Sequence, residues 1–156
     1  MLVAVAALVA FGAAVAILAF GGRDTATKAE YRAAVTNARD RVDYALGRLT
    51  KAKSLNQLLD RMDEAAGAID DAANDVDRKK PPARFEKEHA KLTRSLHTLS
   101  TDVQGTADQA REPGFEDILF GAHGLSFDSW NDVNAALEAL RKKGLRVPLL
   151  VRQTTS

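Results

Sequence analysis

Apolar residues recur at intervals of three and four positions in three separate stretches of this chain. The first stretch contains Tyr31, Val35, Ala38, Val42, Ala45 and Leu49. This spacing places every apolar side chain on one side of an α-helix, whereas a half-buried β-strand alternates apolar and polar residues. Thr27 and Glu30 have the spacing of a capping box, which predicts that the first helix begins here.

The other two stretches have the same period. The second contains Leu55, Leu58, Leu59, Met62, Ala65, Ala66, Ile69, Ala72, Ala73 and Val76. The third contains Phe85, His89, Leu92, Leu96, Leu99 and Val103, followed by Thr106 or Ala107. We call each of these three sets an apolar stripe. Each stripe predicts a helix of about 25 residues with one buried side.

Short interruptions separate the three predicted helices. Residues 51–53 form a tight connection, after which Ser54 and Gln57 have the spacing of a second capping box. The pair Pro81–Pro82 marks the next boundary, because proline cannot continue a helix but suits the first turn of a new one. Helices joined by such short links pack antiparallel, so residues 23–112 are predicted to form a three-helix bundle.

The sequence after Pro113 changes in character, and residues 113–156 are predicted to form a C-terminal capping segment with a short fourth helix. Ser126 has the residue type of an N-cap, and Leu125 and Trp130 could form a hydrophobic staple around it. The predicted buried side of this helix consists of Trp130, Val133, Leu137 and Leu140. Gly144 and Pro148 predict where the helix stops.

An apolar patch precedes the fourth helix. It consists of Phe115, Ile118, Leu119 and Phe120. Together with Trp130, these side chains are the candidate partner or pocket surface, since a contiguous apolar patch that stays exposed marks an interaction site.

Residues Leu2–Phe20 form an uninterrupted apolar run. As a helix, the run would extend for about 30 Å, the thickness of a bilayer's hydrocarbon core. We therefore expect residues 1–22 to be a single-pass transmembrane anchor that contacts the lipid bilayer through residues 2–20. A cleaved signal peptide is the alternative, because residues 19–21 fit a small-x-small cleavage site. The run is longer than most signal peptides, however, and no basic residue precedes it.

The side of the membrane is also open to two interpretations. Basic residues follow the apolar run and none precedes it, so the positive-inside rule would place the bundle in the cytoplasm. The arrangement of one anchor and a modest bundle is, in contrast, typical of bacterial extracytoplasmic proteins, and we expect the bundle outside. Ala6, Ala10 and Ala14 form a small-xxx-small stripe that would allow two anchors to associate.

Charge and motifs exclude several classes of function. The chain has 22 Lys and Arg against 21 Asp and Glu, so net charge gives no case for a nucleic-acid partner or for an anionic surface. It has no cysteine, which excludes thiolate metal sites and cysteine nucleophiles. No catalytic motif is present. We therefore expect no enzyme activity, no catalytic residues and no cofactor.

Two patterns suggest a metal but are better explained without one. Glu86 and His89 have the i, i+3 spacing used in di-iron bundles, but the first two apolar stripes offer no further ligands. We place His89 at the edge of its stripe. An acidic set in the second helix is interpreted as a solvated side: Asp60, Asp63, Glu64, Asp70, Asp71, Asp75 and Asp77. Basic residues predominate in the first helix, and this opposite charge favours pairing of the two.

Three segments carry a resemblance to known proteins. They are the run Leu2–Phe20, the sequence YRAAVTNARDRV from Tyr31 to Val42, and the sequence PPARFEKEHAKLTRSL from Pro81 to Leu96. In these segments the chain resembles uncharacterised membrane-anchored helical-bundle proteins of high-GC bacteria. LemA-like membrane proteins also pair an anchor with a tyrosine-led helix, but their basic pair and D-L-I-P segment are missing after Leu49. Neither resemblance implies a reaction.

The sequence thus leads to two functional hypotheses. The first is a membrane-anchored, non-enzymatic helical interaction or scaffold module with a protein partner or a second copy of itself. The alternative is an extracytoplasmic small-ligand-binding or sensing domain, with an apolar pocket near Phe115, Phe120 and Trp130.

Overall fold

A computed structural model describes residues 24–114 and 127–151 of the protein. These ranges contain four α-helices: α1 (Lys28–Leu49), α2 (Leu55–Asp77), α3 (Glu86–Ala110) and α4 (Ser129–Lys142). A 3-10 turn, Ala83–Phe85, leads into α3. No strand occurs in the described ranges, and the prediction of an all-α fold is confirmed.

Two of the predicted features fall on residues that are not described. The transmembrane anchor was predicted for residues 1–22, and the apolar patch comprises Phe115, Ile118, Leu119 and Phe120; both lie outside the described ranges. None of the four described helices has the length and apolar character needed to cross a bilayer.

Helix α1 begins where its capping box was predicted. The Thr27 amide donates to Glu30 Oε2 over 2.8 Å, and the Glu30 amide donates to Thr27 Oγ1 over 3.2 Å. The box at the start of α2 forms only in part. Ser54 Oγ accepts from the Gln57 amide, but the Gln57 side chain accepts from Lys53 instead of returning to the Ser54 amide.

Ion pairs show that α1 and α2 run antiparallel. Arg41 Nη2 lies 2.6 Å from Asp75 Oδ2, and Arg48 Nη1 lies 2.7 Å from Glu64 Oε2. Later positions in α1 therefore lie beside earlier positions in α2. Each of these exposed pairs contributes only about 0–1 kcal/mol, so they help to select the pairing more than they stabilise it.

Helix α2 packs against α3 on its other side, and α3 packs in turn against α4. Ser100 Oγ of α3 donates to the Ala66 carbonyl of α2 over 2.8 Å, and His97 Nδ1 lies 2.8 Å from Asp70 Oδ1. These pairs also run in opposite directions along the chain. The prediction of an antiparallel three-helix bundle is therefore confirmed, and α4 continues the packing.

The interior of the bundle consists of the predicted apolar stripes. Its largest fully buried side chains include Tyr31, Val35, Val42, Met62, Ile69, Val76, Phe85, Leu92 and Leu99. Ala72 and Ala73 are completely buried, and such small side chains allow neighbouring helices to approach closely. The first turn of α2 differs from the prediction. Leu55, Leu58 and Leu59 are only half-buried.

Helix α4 begins later than predicted, at Ser129, and its N-cap Asp128 makes no side-chain capping bond. The first backbone bonds of this helix run from Trp130 to the Phe127 carbonyl and from Asn131 to the Asp128 carbonyl, each 3.0 Å long. A tight turn over residues 127–131 therefore starts the helix. Ser126, the predicted N-cap, lies outside the described residues.

Three of the four predicted buried residues of α4 belong to the main core. Val133, Leu137 and Leu140 are at most 1% exposed. Trp130 is only half-buried and packs against the core from its rim. The helix ends as predicted, with Gly144 at a φ of +87°, where the Leu145 amide donates to the Leu140 carbonyl. This is a Schellman arrangement, and both leucines are fully buried.

The chain after Gly144 is extended and joins α4 to α1. Leu145, Val147 and Leu150 are buried in this segment. Arg39 Nε of α1 donates to the Leu149 carbonyl over 2.8 Å, and the Asn134 side chain of α4 accepts from the Leu150 amide over 2.8 Å.

Substitution of Arg39 with alanine is expected to release this extended segment from α1. The variant loses the bonds to Leu149 and the ion pair with Asp43, whose carboxylate accepts from the Val151 amide. We expect the free energy of unfolding to fall by about 1–3 kcal/mol, as for a lost charged hydrogen bond. Amide hydrogen exchange at Leu150 and Val151 should accelerate.

Arg32→Ala is the matched control for this substitution, since Arg32 is an exposed arginine of the same helix. If the Val151 amide exchanges at the same rate in both variants, Arg39 does not attach the extended segment to α1.

Candidate functional site

One end of the bundle brings together residues that are far apart in sequence. There α1 and α3 begin, and α2 and α4 end. The Ala26 amide donates to the Lys80 carbonyl over 3.0 Å. The Arg84 guanidinium donates to the Lys143 carbonyl, and Lys143 Nζ donates to the Arg84 carbonyl over 3.1 Å. We call this end, formed by residues 24–32, 77–91 and 140–147, the basic end.

Three rings occupy the interior of the basic end. Tyr31 is completely buried, and its ring stacks on Phe85 with the centroids 5.8 Å apart. The His89 ring lies 5.7 Å from the Tyr31 ring at a tilted angle. The Tyr31 hydroxyl and His89 Nδ1 are 3.2 Å apart. Outside this layer, the Arg84 guanidinium lies 4.9 Å from the centre of the Phe85 ring.

Burial sets the protonation states of this cluster. It raises the pKa of the Tyr31 phenol well above its usual range, and the negative charge of Glu88 raises it further. Burial also lowers the pKa of His89, an effect that Asp77 opposes. Near neutral pH the phenol therefore keeps its proton and the imidazole is uncharged. We infer that the Tyr31 hydroxyl donates to His89 Nδ1.

The neighbouring Glu88, in contrast to Tyr31 and His89, is stabilised in its charged form. Its carboxylate lies 2.7 Å from Lys143 Nζ, and this hydrogen bond holds the pKa of Glu88 below its usual value. The pair connects the first turn of α3 to the end of α4. Tyr31 is completely buried, so only the half-buried His89 ring of this pair reaches the surface, and the phenol is closed to a substrate. We interpret the cluster as a structural lock between α1 and α3.

The lowered pKa of His89 predicts a specific dependence of stability on pH. Between this pKa and the ordinary value of 6.5, the unfolded chain binds more protons at this position than the folded chain. Stability then rises with pH and falls as the pH drops below 6.5. One proton contributes at most about 1.4 kcal/mol per pH unit. We expect His89→Gln to flatten this part of the stability curve, measured by urea unfolding at a series of pH values.

His97→Gln is the control for that experiment, since His97 lies on the same helix at a half-exposed position beside Asp70. Equal flattening by both substitutions would contradict the assignment of the effect to His89.

The surface of the basic end is strongly positive. Residues 24–32, 77–91 and 140–147 contain twelve Lys and Arg but only five Asp and Glu. The basic residues are Lys28, Arg32, Arg78, Lys79, Lys80, Arg84, Lys87, Lys91, Arg141, Lys142, Lys143 and Arg146. Residues 48–64, 102–114 and 127–132, at the opposite end, contain five basic and eight acidic residues. A chain that is almost neutral overall is therefore polarised along the bundle axis.

The described part of the chain also contains an open groove of about 560 Å³ along α3. Its lining residues are Asp77, Ala90, Thr93, Arg94, His97, Thr98 and Thr101. Six of the seven lining residues have polar side chains, and none of the seven belongs to the set that was predicted to form an apolar pocket. Of those, Phe115, Ile118, Leu119 and Phe120 are not described, and Trp130 packs on the rim of the core.

The patterns that suggested a metal have other contacts in the structure. Within the described ranges, no group of three or more His, Asp or Glu side chains is arranged to hold a metal ion. His89 contacts Tyr31, whereas Asp63, Asp70 and Asp75 of the acidic set contact Arg111, His97 and Arg41, respectively. His123, the third histidine, lies outside the described residues.

No local pattern in the sequence marks the basic end as a unit. The runs Lys79–Lys80 and Arg141–Lys143 were visible as a helix boundary and a helix terminus. Their proximity depends on the antiparallel arrangement of α3 and α4, which a linear charge count does not contain.

Comparison with known proteins returned no match. No protein-family model matches the chain, and neither a curated protein nor a solved structure shows significant similarity to it.

Proposed function

We propose that this protein is a single-pass membrane protein whose helical bundle is a non-enzymatic interaction or scaffold module. One observation supports the proposal: the apolar stripes of the helices pack against one another in a shared core. Among the described residues, none of the buried positions is Asp, Glu, Lys, Arg or His. The buried polar side chains that remain are Thr93, Ser95, Ser100 and Ser129. An interior of this kind supports a module that acts through its surface.

The apolar run Leu2–Phe20 supports the attachment to a membrane, in keeping with the resemblance to anchored bundle proteins. The lipid bilayer is the first proposed partner, and a protein or a second copy of the chain is the second. We place the bundle on the extracytoplasmic side. Protease digestion of intact cells tests that side, since a cytoplasmic bundle, which the positive-inside rule favours, would stay protected.

Alkaline carbonate extraction of membranes tests the anchor. The full chain is expected to remain in the membrane pellet. A variant with Val9→Arg and Phe11→Arg should be extracted, because each charge near the centre of a bilayer costs about 2.5–3.5 kcal/mol. Thr50→Arg, at an exposed position of the bundle, is the control and should stay in the pellet. Extraction of the unsubstituted chain, with a mass shortened at the N-terminus, would show a cleaved signal peptide instead.

Chemical cross-linking in membranes tests the interaction role. We expect a cross-linked species that contains either a second protein or a second copy of this chain. If the copies associate through their anchors, Ala10→Ile should weaken the homodimer, since it fills the small-xxx-small stripe. The absence of any cross-linked species would contradict the proposal of an interaction module.

The alternative of a small-ligand-binding domain has less support. It depends on the apolar patch of Phe115, Ile118, Leu119 and Phe120, which lies outside the described residues. The groove along α3 is open to solvent, so it does not supply the enclosed site that such ligands prefer.

A further inference from the structure

We propose that the basic end of the bundle docks on the anionic lipid headgroups of the membrane that holds the anchor. This inference rests on the proposed membrane attachment and adds a second lipid contact to it, made by folded residues of the bundle. Its basis is the charge and the position of the basic end.

The charge of the basic end is concentrated on side chains that are free to face a membrane. Lys79, Lys80, Lys87, Lys91 and Lys142 are all exposed. Two acidic groups of the same end are engaged locally, because Glu30 caps α1 and Glu88 lies against Lys143. All twelve basic residues of this end are exposed, against four of its five acidic residues, so the net positive charge lies on the outer surface. A basic cluster beside a membrane is attracted to anionic lipid, with each Lys or Arg near the surface contributing about 1 kcal/mol.

The chain's connectivity holds the basic end close to the bilayer. The apolar run ends at Phe20, and the Ala26 amide is already bound to the Lys80 carbonyl at the basic end. Six residues of fully extended chain reach about 20 Å, so the basic end cannot lie farther than that from the end of the run. The opposite end of the bundle is separated from it by the length of α1, which is about 33 Å for 22 residues.

Three chain segments contribute to this surface, and the fold holds them in one place. An added Cβ at Gly144 would lie 3.6 Å from Arg84 Nη2 and 3.9 Å from Lys28 Nζ, so α4, the α2–α3 connection and α1 place their cations side by side. Like charges that gather in this way repel one another. An anionic surface relieves that repulsion, which is why the polarised bundle fits a membrane better than it fits free solution.

The test uses the full chain in vesicles and a fluorescent label. Because the protein has no cysteine, Ala83→Cys provides one labelling site at the exposed edge of the basic end. Energy transfer from this label to a headgroup-labelled lipid reports how closely the end approaches the surface. We expect stronger transfer in vesicles that contain phosphatidylglycerol than in phosphatidylcholine vesicles, and a loss of the difference at high salt. A label at Thr50→Cys, at the opposite end, should show no such difference.

Two matched pairs of lysines provide the decisive variants. Lys79→Gln with Lys80→Gln removes two charges from the α2–α3 connection at the basic end. We expect it to lower the ratio of lipid-contacting to detached bundles roughly 30-fold, from two contributions of about 1 kcal/mol. Lys51→Gln with Lys53→Gln removes two charges from the α1–α2 connection at the opposite end and should leave the ratio unchanged.

Circular dichroism of both double variants verifies that the bundle is intact. Two results would overturn the docking proposal: energy transfer that is the same in charged and uncharged vesicles, or energy transfer that falls equally in both double variants. Failure of the anchor is recognised separately, because carbonate would then extract the unlabelled chain from the vesicles.

Discussion

The variant Tyr31→Ala is expected to lose about 3–5 kcal/mol of its free energy of unfolding, a large part of the stability of a domain of this size. Tyr31 is completely buried and stacks on Phe85 where α1 and α3 meet. Removing its ring leaves a cavity that the rigid helices can close only in part. The loss can be measured by urea unfolding of the full chain in detergent, followed by circular dichroism.

The second tyrosine of the chain provides a control. Tyr44 lies on the same helix but is 71% exposed. Tyr44→Ala should therefore change the free energy of unfolding by no more than about 0.5 kcal/mol. Tyr31→Phe separates the hydroxyl from the ring and should cost about 0.5–1.5 kcal/mol, the net value of a typical hydrogen bond. Equal losses for Tyr31→Ala and Tyr44→Ala would contradict the buried position of Tyr31.

The variant Leu140→Ala is expected to lose about 2–5 kcal/mol and to do so in one cooperative transition. Leu140 is fully buried in α4, and the adjoining Leu145 closes the helix end over it. Helix α4 shares its hydrophobic cluster with α1, α2 and α3. A cavity in α4 should therefore weaken the whole bundle, and unfolding followed by circular dichroism and by Trp130 fluorescence should coincide.

Val151→Ala serves as the reference for this experiment because Val151 belongs to the same C-terminal part but is 56% exposed. Its effect should stay within about 0.5 kcal/mol. If the fluorescence and circular dichroism transitions of Leu140→Ala instead separate, α4 unfolds independently. That result would contradict a single core shared by all four helices.

The three long helices could be predicted from the sequence because apolar spacing and capping residues are local, periodic patterns. Every residue of the stripe from Tyr31 to Leu49 is buried, and the capping box of Thr27 and Glu30 forms as its spacing predicts. A side chain's position around a helix follows from its number, so the period alone identifies the buried side. The end of α4 at Gly144 was predictable for a similar reason, since a left-handed residue there favours glycine.

The deviations occur where coverage by other elements determines burial. Leu55, Leu58 and Leu59 are as hydrophobic as the rest of their stripe, yet they are only half-buried. Trp130 was predicted to lie in the core and packs on its rim. The position of Ser126 favoured a helix start, but the first bonds of α4 form after Phe127. None of these outcomes can be read from local spacing, since burial is decided by contacts with other parts of the fold.

Amino-acid order alone determined that this protein forms α-helices with one apolar side each, because helix period and capping act over a few residues, and the short links between the helices favoured antiparallel packing. The tertiary structure alone decided that Lys80, Arg84 and Lys143 share one end of the bundle, and that Tyr31 meets His89 across it. Such contacts join residues more than fifty positions apart. They exist only after the hydrophobic stripes have set the direction and the register of each helix against its neighbours.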